Sequence, residues 1–168
     1  MFHIIVMIDT SYSMYNRLIN IINSLNNFIN NLKQKNQNDI YLTVVQFNDK
    51  IKYICKLINI DKIGQFTTDQ FNIYGSTALY DSMAEILLDF GLESEIYQNL
   101  FIISDGEDNL SKNFNNQKVN QLCDRAQNFG KWKIIHCNID VSKLNVQTVI
   151  FNPDNIEDIS SLFDNLLI

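Results

Sequence analysis

Residues Ile4-Ile5-Val6-Met7-Ile8-Asp9-Thr10-Ser11-Tyr12-Ser13-Met14 decide how this chain is read. An apolar run stops abruptly at an acid, two serines follow at alternate positions, and a helical pattern begins. Such a run predicts a strand buried on both faces, as in the middle of a parallel sheet. A carboxylate at the end of a buried strand is costly unless something pairs with it. In an extended segment alternate residues point the same way, so Asp9, Ser11 and Ser13 present three oxygens to one point. That is a partial shell for a hard cation.

Outward from this stretch, strands and helices alternate. The first strand covers about 2–8 and an amphipathic helix about 14–35, with Leu18, Ile21, Ile22, Leu25, Phe28, Ile29 and Leu32 at helical spacing. The asparagines between them read as the polar face of that helix, not as a disordered tract. A second strand at 40–47 turns through Asn48-Asp49 into a third at 51–57, which must then be antiparallel and lie at an edge. A helix follows Thr77, a strand spans 99–104, and a helical face carries Val119, Leu122, Cys123 and Ala126. Strands at 133–139 and 146–151 and a closing amphipathic helix at 156–166 complete the pattern. The alternation predicts one α/β domain over 1–168, a doubly wound three-layer sandwich. Its central sheet is mostly parallel, in the order 3-2-1-4-5-6, with one antiparallel edge strand.

Composition narrows the function. The formal charge of −6 and the lack of a basic face argue against nucleic acid as partner. Lys50, Lys52 and Lys56 read as the solvated face of the edge strand. No apolar run is long enough to cross a bilayer, so no membrane role is expected. Cys55, Cys123 and Cys137 are odd in number and lack a CxxC pair. With no signal-like segment ahead of the first strand, they suggest free thiols in an intracellular, reducing setting. His3 and His136 lie inside strand patterns and read as core or edge histidines. Trp132 reads as core.

Two further segments share the character of the first. Leu100-Phe101-Ile102-Ile103-Ser104-Asp105-Gly106-Glu107-Asp108 is another apolar strand halted at a carboxylate, and Gly75-Ser76-Thr77-Ala78-Leu79-Tyr80-Asp81 sets hydroxyls just before a helix. In these residues the chain resembles the von Willebrand factor A family over essentially its whole length. The metal-ion-dependent adhesion site (MIDAS) of that family uses DxSxS, a Thr in a G-x-T turn and an Asp in a (T/S)DG turn. The resemblance implies Asp9, Ser11, Ser13, Thr77 and Asp105 as ligands of Mg²⁺ or Mn²⁺, with the two carboxylates acting mainly through water. It implies a protein partner, gripped by an acidic side chain at the open coordination position, and a last helix that moves in some relatives. An all-oxygen donor set suits Mg²⁺ or Mn²⁺ better than zinc. Tyr12, Tyr74, Tyr80, Glu107, Asp108 and Asn109 are expected at the rim.

Plainer roles stand beside these. Ser13 or Asp9 is also a candidate N-cap of the first helix, Thr77 of the second, and Asp81 favours a helix start. Glu107 and Asp108 read as a solvated turn. An enzyme of haloacid dehalogenase type would need a second acid where Ser11 stands, and no phosphate-binding glycine loop is present. A receiver-type phosphoacceptor domain would need an acidic pair before the first helix. A non-catalytic binding module is expected, with a metal-independent scaffold as the alternative.

Overall fold

The central strand forms because its residues are apolar on both faces. The computed structural model describes residues 1–35, 39–105, 108–138 and 143–150. Strand β1 (Phe2–Asp9) is buried from His3 onward. It pairs in parallel with β2 (Ile40–Phe47) on one side and β4 (Tyr97–Ile103) on the other. Outside these lie β3 (Ile51–Asn59), antiparallel to β2, and on the far flank β5 (Trp132–Asn138) and β6 (Gln147–Ile150), both parallel. The sheet order is β3-β2-β1-β4-β5-β6, mostly parallel with one antiparallel strand, as expected for a doubly wound sandwich.

The pleat of β1 divides the core in two. Ile4, Val6 and Ile8 pack with Leu18, Ile21, Leu25, Phe28 and Leu32 of helix α1 (Leu18–Gln34). Ile5 and Met7 turn to the other face, against Leu79, Met83 and Leu87 of α2 (Leu79–Phe90) and Val119, Cys123 and Ala126 of α3 (Asn116–Asn128). Each face thus receives alternate residues of one strand, which is why β1 tolerates no polar position in its middle.

Several boundaries differ from the sequence reading. The first helix starts at Leu18, after a 3₁₀ turn at Tyr12–Met14 and a further bend, because Ser13 uses its hydroxyl across the molecule instead of capping. The β2–β3 connection has three residues, Asn48 to Lys50, closed by an Asn48 N–H to Lys50 carbonyl bond of 3.3 Å. β3 runs two residues further than expected, with two register shifts against β2 and Leu57 at φ +52°. The closing helix at 156–166, and any movement of it, lies outside the described residues, as do Gly106 and Glu107. Among the described residues no helix is long and apolar enough to cross a membrane.

The histidines are core residues. His3 is fully buried, with Nδ1 at 3.0 Å from Gln98 Oε1 and Nε2 at 2.8 Å from Thr43 Oγ1. Gln98 Nε2 donates to the Phe90 carbonyl, so its oxygen faces the ring, and His3 is the neutral tautomer that donates through Nδ1. Burial lowers both His3 and His136 to about 4, and the Gln98 bond offsets this only in part for His3. Trp132 is buried, its indole donating to the Gly91 carbonyl at 3.1 Å. Cys123 and Cys137 are buried thiols, both pushed up to about 12 chiefly by desolvation, and Cys55 is half-buried.

Because the folded pKa of each histidine lies below its unfolded value, the unfolded chain takes up the protons first as pH falls. Stability is therefore fully present above about pH 6.5 and lost between there and pH 4, by about 3 kcal/mol per histidine. Urea unfolding across that range should show this slope, and His3→Gln should remove about half of it.

Candidate metal centre at the carboxyl ends of β1 and β4

The crevice of a doubly wound sheet opens where the strand order reverses, here between β1 and β4. Asp9 is the last residue of β1, and Ser104 and Asp105 follow β4 directly. Both acids are enclosed: Asp9 is fully buried and Asp105 is 8% exposed.

The five oxygen-bearing side chains expected from the sequence come together. Asp9 Oδ1 accepts the Ser11 N–H at 2.8 Å, folding the chain back on the carboxylate. Ser11 Oγ lies 3.1 Å from Ser13 Oγ, and Ser13 Oγ donates to Asp105 Oδ1 at 2.7 Å. Thr77 Oγ1 approaches Asp9 Oδ2 at 3.5 Å, a long and weak contact. Thus β1 with its 3₁₀ turn, the loop before α2 and the loop after β4 each bring oxygen to one spot. Neither Ser13 nor Thr77 caps a helix by its side chain, and Asp9 bonds within its own loop.

Four further residues complete the site; Asn109 was expected at the rim, Asn48 in a turn and Ser104 in the motif ahead of Asp105, and Arg17 was passed over. Ser104 Oγ donates to Asp9 Oδ2 at 2.7 Å. Arg17, at the start of α1, makes an ion pair with Asp105 through Nη1 and Oδ2, its side chain 22% exposed against 3% for the carboxylate. Asn48, fully buried, donates to Thr10 Oγ1 at 3.1 Å, and its carbonyl accepts the Ala78 N–H at 2.8 Å. Asn109 Oδ1 accepts the Thr77 N–H at 2.9 Å, while the Thr77 carbonyl accepts the N–H groups of Asn109 and Leu110. The Ser104 signal was present in the TDG-like turn. Arg17 carried none, because its partner lies 88 residues away.

The expected rim divides. Tyr12 is 70% exposed, and Tyr74 and Tyr80 are half-buried. Asp108 is not a solvated turn: its Oδ1 accepts the Tyr80 N–H at 3.1 Å and the Ser111 hydroxyl. Asp81 is structural, as expected, accepting backbone N–H bonds from Lys112, Asn113 and Phe114. Burial pushes its carboxyl up, but these bonds outweigh that and hold it below the usual carboxylate range.

Electrostatics follow from burial. Desolvation raises Asp9 above the ordinary carboxylate range; the Ser11 N–H and the Ser104 and Ser11 hydroxyls oppose this, and the nearby charge of Asp105 adds to it. A buried acid pair lined by hydroxyls is a donor set that fits a hard divalent cation. Among the described residues no group of three His, Cys, Asp or Glu comes together, which leaves nothing of the kind that holds structural zinc.

The sequence matches no protein-family model and no curated protein. Solved structures do match. The ArnB paralog VWA2 from Sulfolobus acidocaldarius is similar at 17% identity and TM-score 0.63, over 98% of this chain and 44% of that one. The chain has a von Willebrand factor A-like fold. Proximal thread matrix protein 1 from the mussel byssus, in a form with a zinc-occupied MIDAS motif, matches at 16% identity and TM-score 0.65, over 98% of this chain and 44% of that one. The pilus adhesin SpaC from Lactobacillus rhamnosus GG matches at 13% and 0.71, over 98% and 29%. The von Willebrand factor A-like domain described here spans less than half the length of these structures.

The loop carrying Thr77 depends on Gly75, which has φ +75°. A Cβ there would lie 2.8 Å from Asp49 Cγ, and Asp49 Oδ1 is already engaged by the Ser76 N–H at 2.9 Å. Gly75→Ala should therefore cost about 2 kcal/mol from the left-handed backbone and the displaced Asp49 bond. A lower urea midpoint checks this; an unchanged one would show the loop to be more tolerant than its geometry.

Proposed function

We propose that this domain is a non-catalytic, metal-dependent protein-binding module. Asp9, Ser11, Ser13, Thr77 and Asp105 would hold Mg²⁺ or Mn²⁺, with Asp9 and Asp105 steering the shell as much as filling it. The ion would supply a Lewis-acidic position for an acidic side chain of a partner protein. The supporting observation is the convergence of those five side chains, from three separate loops, at the switch point of the sheet. A neighbour of the same fold whose MIDAS is zinc-occupied adds weight to divalent-metal binding. Pilin, pilus adhesin and thread matrix proteins among the structural neighbours agree with a binding role. Three free thiols suit a reducing, intracellular setting.

A second reading has its own observation. The Arg17–Asp105 ion pair already neutralises part of the site, so a metal-independent scaffold is also physically coherent. Thermal unfolding separates the two. In excess Mg²⁺ or Mn²⁺ over EDTA, wild type should gain about 2.7 kcal/mol at hundredfold excess over Kd, and Asp9→Ala nothing. A parallel Zn²⁺ arm tests metal preference. Identical wild-type curves in metal and EDTA would leave the scaffold reading standing.

The carboxylate acceptor is tested separately. Peptides bearing a glutamate should bind in Mn²⁺ and dissociate on chelation, whereas their glutamine counterparts should bind in neither condition. Binding indifferent to EDTA would overturn the proposed mode of recognition.

A further inference from the structure

The geometry points to Arg17 as a resident counter-ion that a divalent cation must displace from Asp105, so that loading the site is an exchange of one positive group for another. The inference rests on the metal-binding reading above and adds its regulation.

Both oxygens of Asp105 are engaged, Oδ1 by the Ser13 hydroxyl at 2.7 Å and Oδ2 by the Arg17 guanidinium. Asp105 is almost fully enclosed, and an enclosed carboxylate needs a partner. Arg17 meets that need from within the chain. It follows Ser13 by four residues, at the turn that leads into α1, and thus stands beside the same oxygens that would face the ion. Among the described residues, Asp9 and Asp105 against one guanidinium leave the cluster net negative; a dication added beside an unmoved guanidinium would instead face a like charge at short range. The guanidinium has a way out. Its side chain is partly exposed, and the flanking Tyr12 and Tyr15 are each 70% exposed. When it leaves Asp105, the incoming cation takes its place as the carboxylate's counter-charge. The expected result is a site that is stable without metal and weaker for metal than its oxygens alone would make it.

A role confined to holding the fold predicts something different, because loss of the ion pair would then leave metal affinity unchanged or lower. Mn²⁺ binding is read by loss of the free-ion electron paramagnetic resonance signal, on wild type, Arg17→Gln and Arg17→Lys, with unfolding in EDTA measured alongside. Arg17→Gln should bind Mn²⁺ about tenfold or more tightly than wild type. It should also melt at a lower temperature in EDTA and recover more on adding metal. Arg17→Lys, which keeps the charge, should stay close to wild type. Should Arg17→Gln not fold in EDTA, recovery of its far-ultraviolet spectrum with Mn²⁺ supports the exchange, and no recovery overturns it. Wild type that binds Mn²⁺ while Arg17→Gln binds equally or less overturns the inference and leaves the metal site intact. No binding by wild type or either variant at millimolar Mn²⁺ overturns the metal reading and this inference with it.

Discussion

A carboxylate held at the inner end of a doubly covered strand is the constraint around which this domain is arranged. Asp9 terminates β1 with no solvent contact, and ionised acids in such places are expensive unless hydrogen-bonded. The fold answers with an N–H from the next loop and hydroxyls from two loops distant in sequence. Those loops must be close for other reasons as well. Asn48 ties the loop before α2 to the end of β2, and Asp49 holds Ser76. The loop after β4 is stitched to α2 through Asn109, Asp108 and Asp81. The sheet sets the distance between the acids, and the loops supply the hydroxyls.

This division explains what was legible in the chain. The architecture was written in contiguous patterns: the apolar run at β1 and β4, the helical stripes of α1 and α2, and the polar turn between β2 and β3. Those signals are local, and the strand order followed from the connection rules for parallel sheets. That the side chains of Asp9, Ser11, Ser13, Thr77 and Asp105 meet was also legible, because each sits at the junction of a strand or helix with a loop. Boundaries were less so. Ser13 has the chemistry of a helix cap, and only the tertiary structure shows its hydroxyl spent on Asp105.

Arg17 was not readable at all, while Asn48 was legible only as a turn residue and Asn109 only as a rim residue. Each acts on a partner more than 25 residues away, and each resembles an ordinary surface residue in its own neighbourhood. Asp108 failed for the same reason: its local sequence is that of a turn, while its bonds go to α2. Local periodicity reports which face of an element is apolar. It carries no information about which loops meet.

The outer strand β3 has a bearing on assembly. A chain so rich in isoleucine and asparagine has the composition from which cross-β fibres grow, and an open strand edge is where growth would start. Here the edge is spoiled twice, by register shifts that bend it out of line and by lysines along its length, with Lys56 anchored to Asp89 and Lys52 to the Gln70 carbonyl. Strand addition is obstructed at that border, where an incoming chain would meet a bent backbone and a row of tethered ammonium groups.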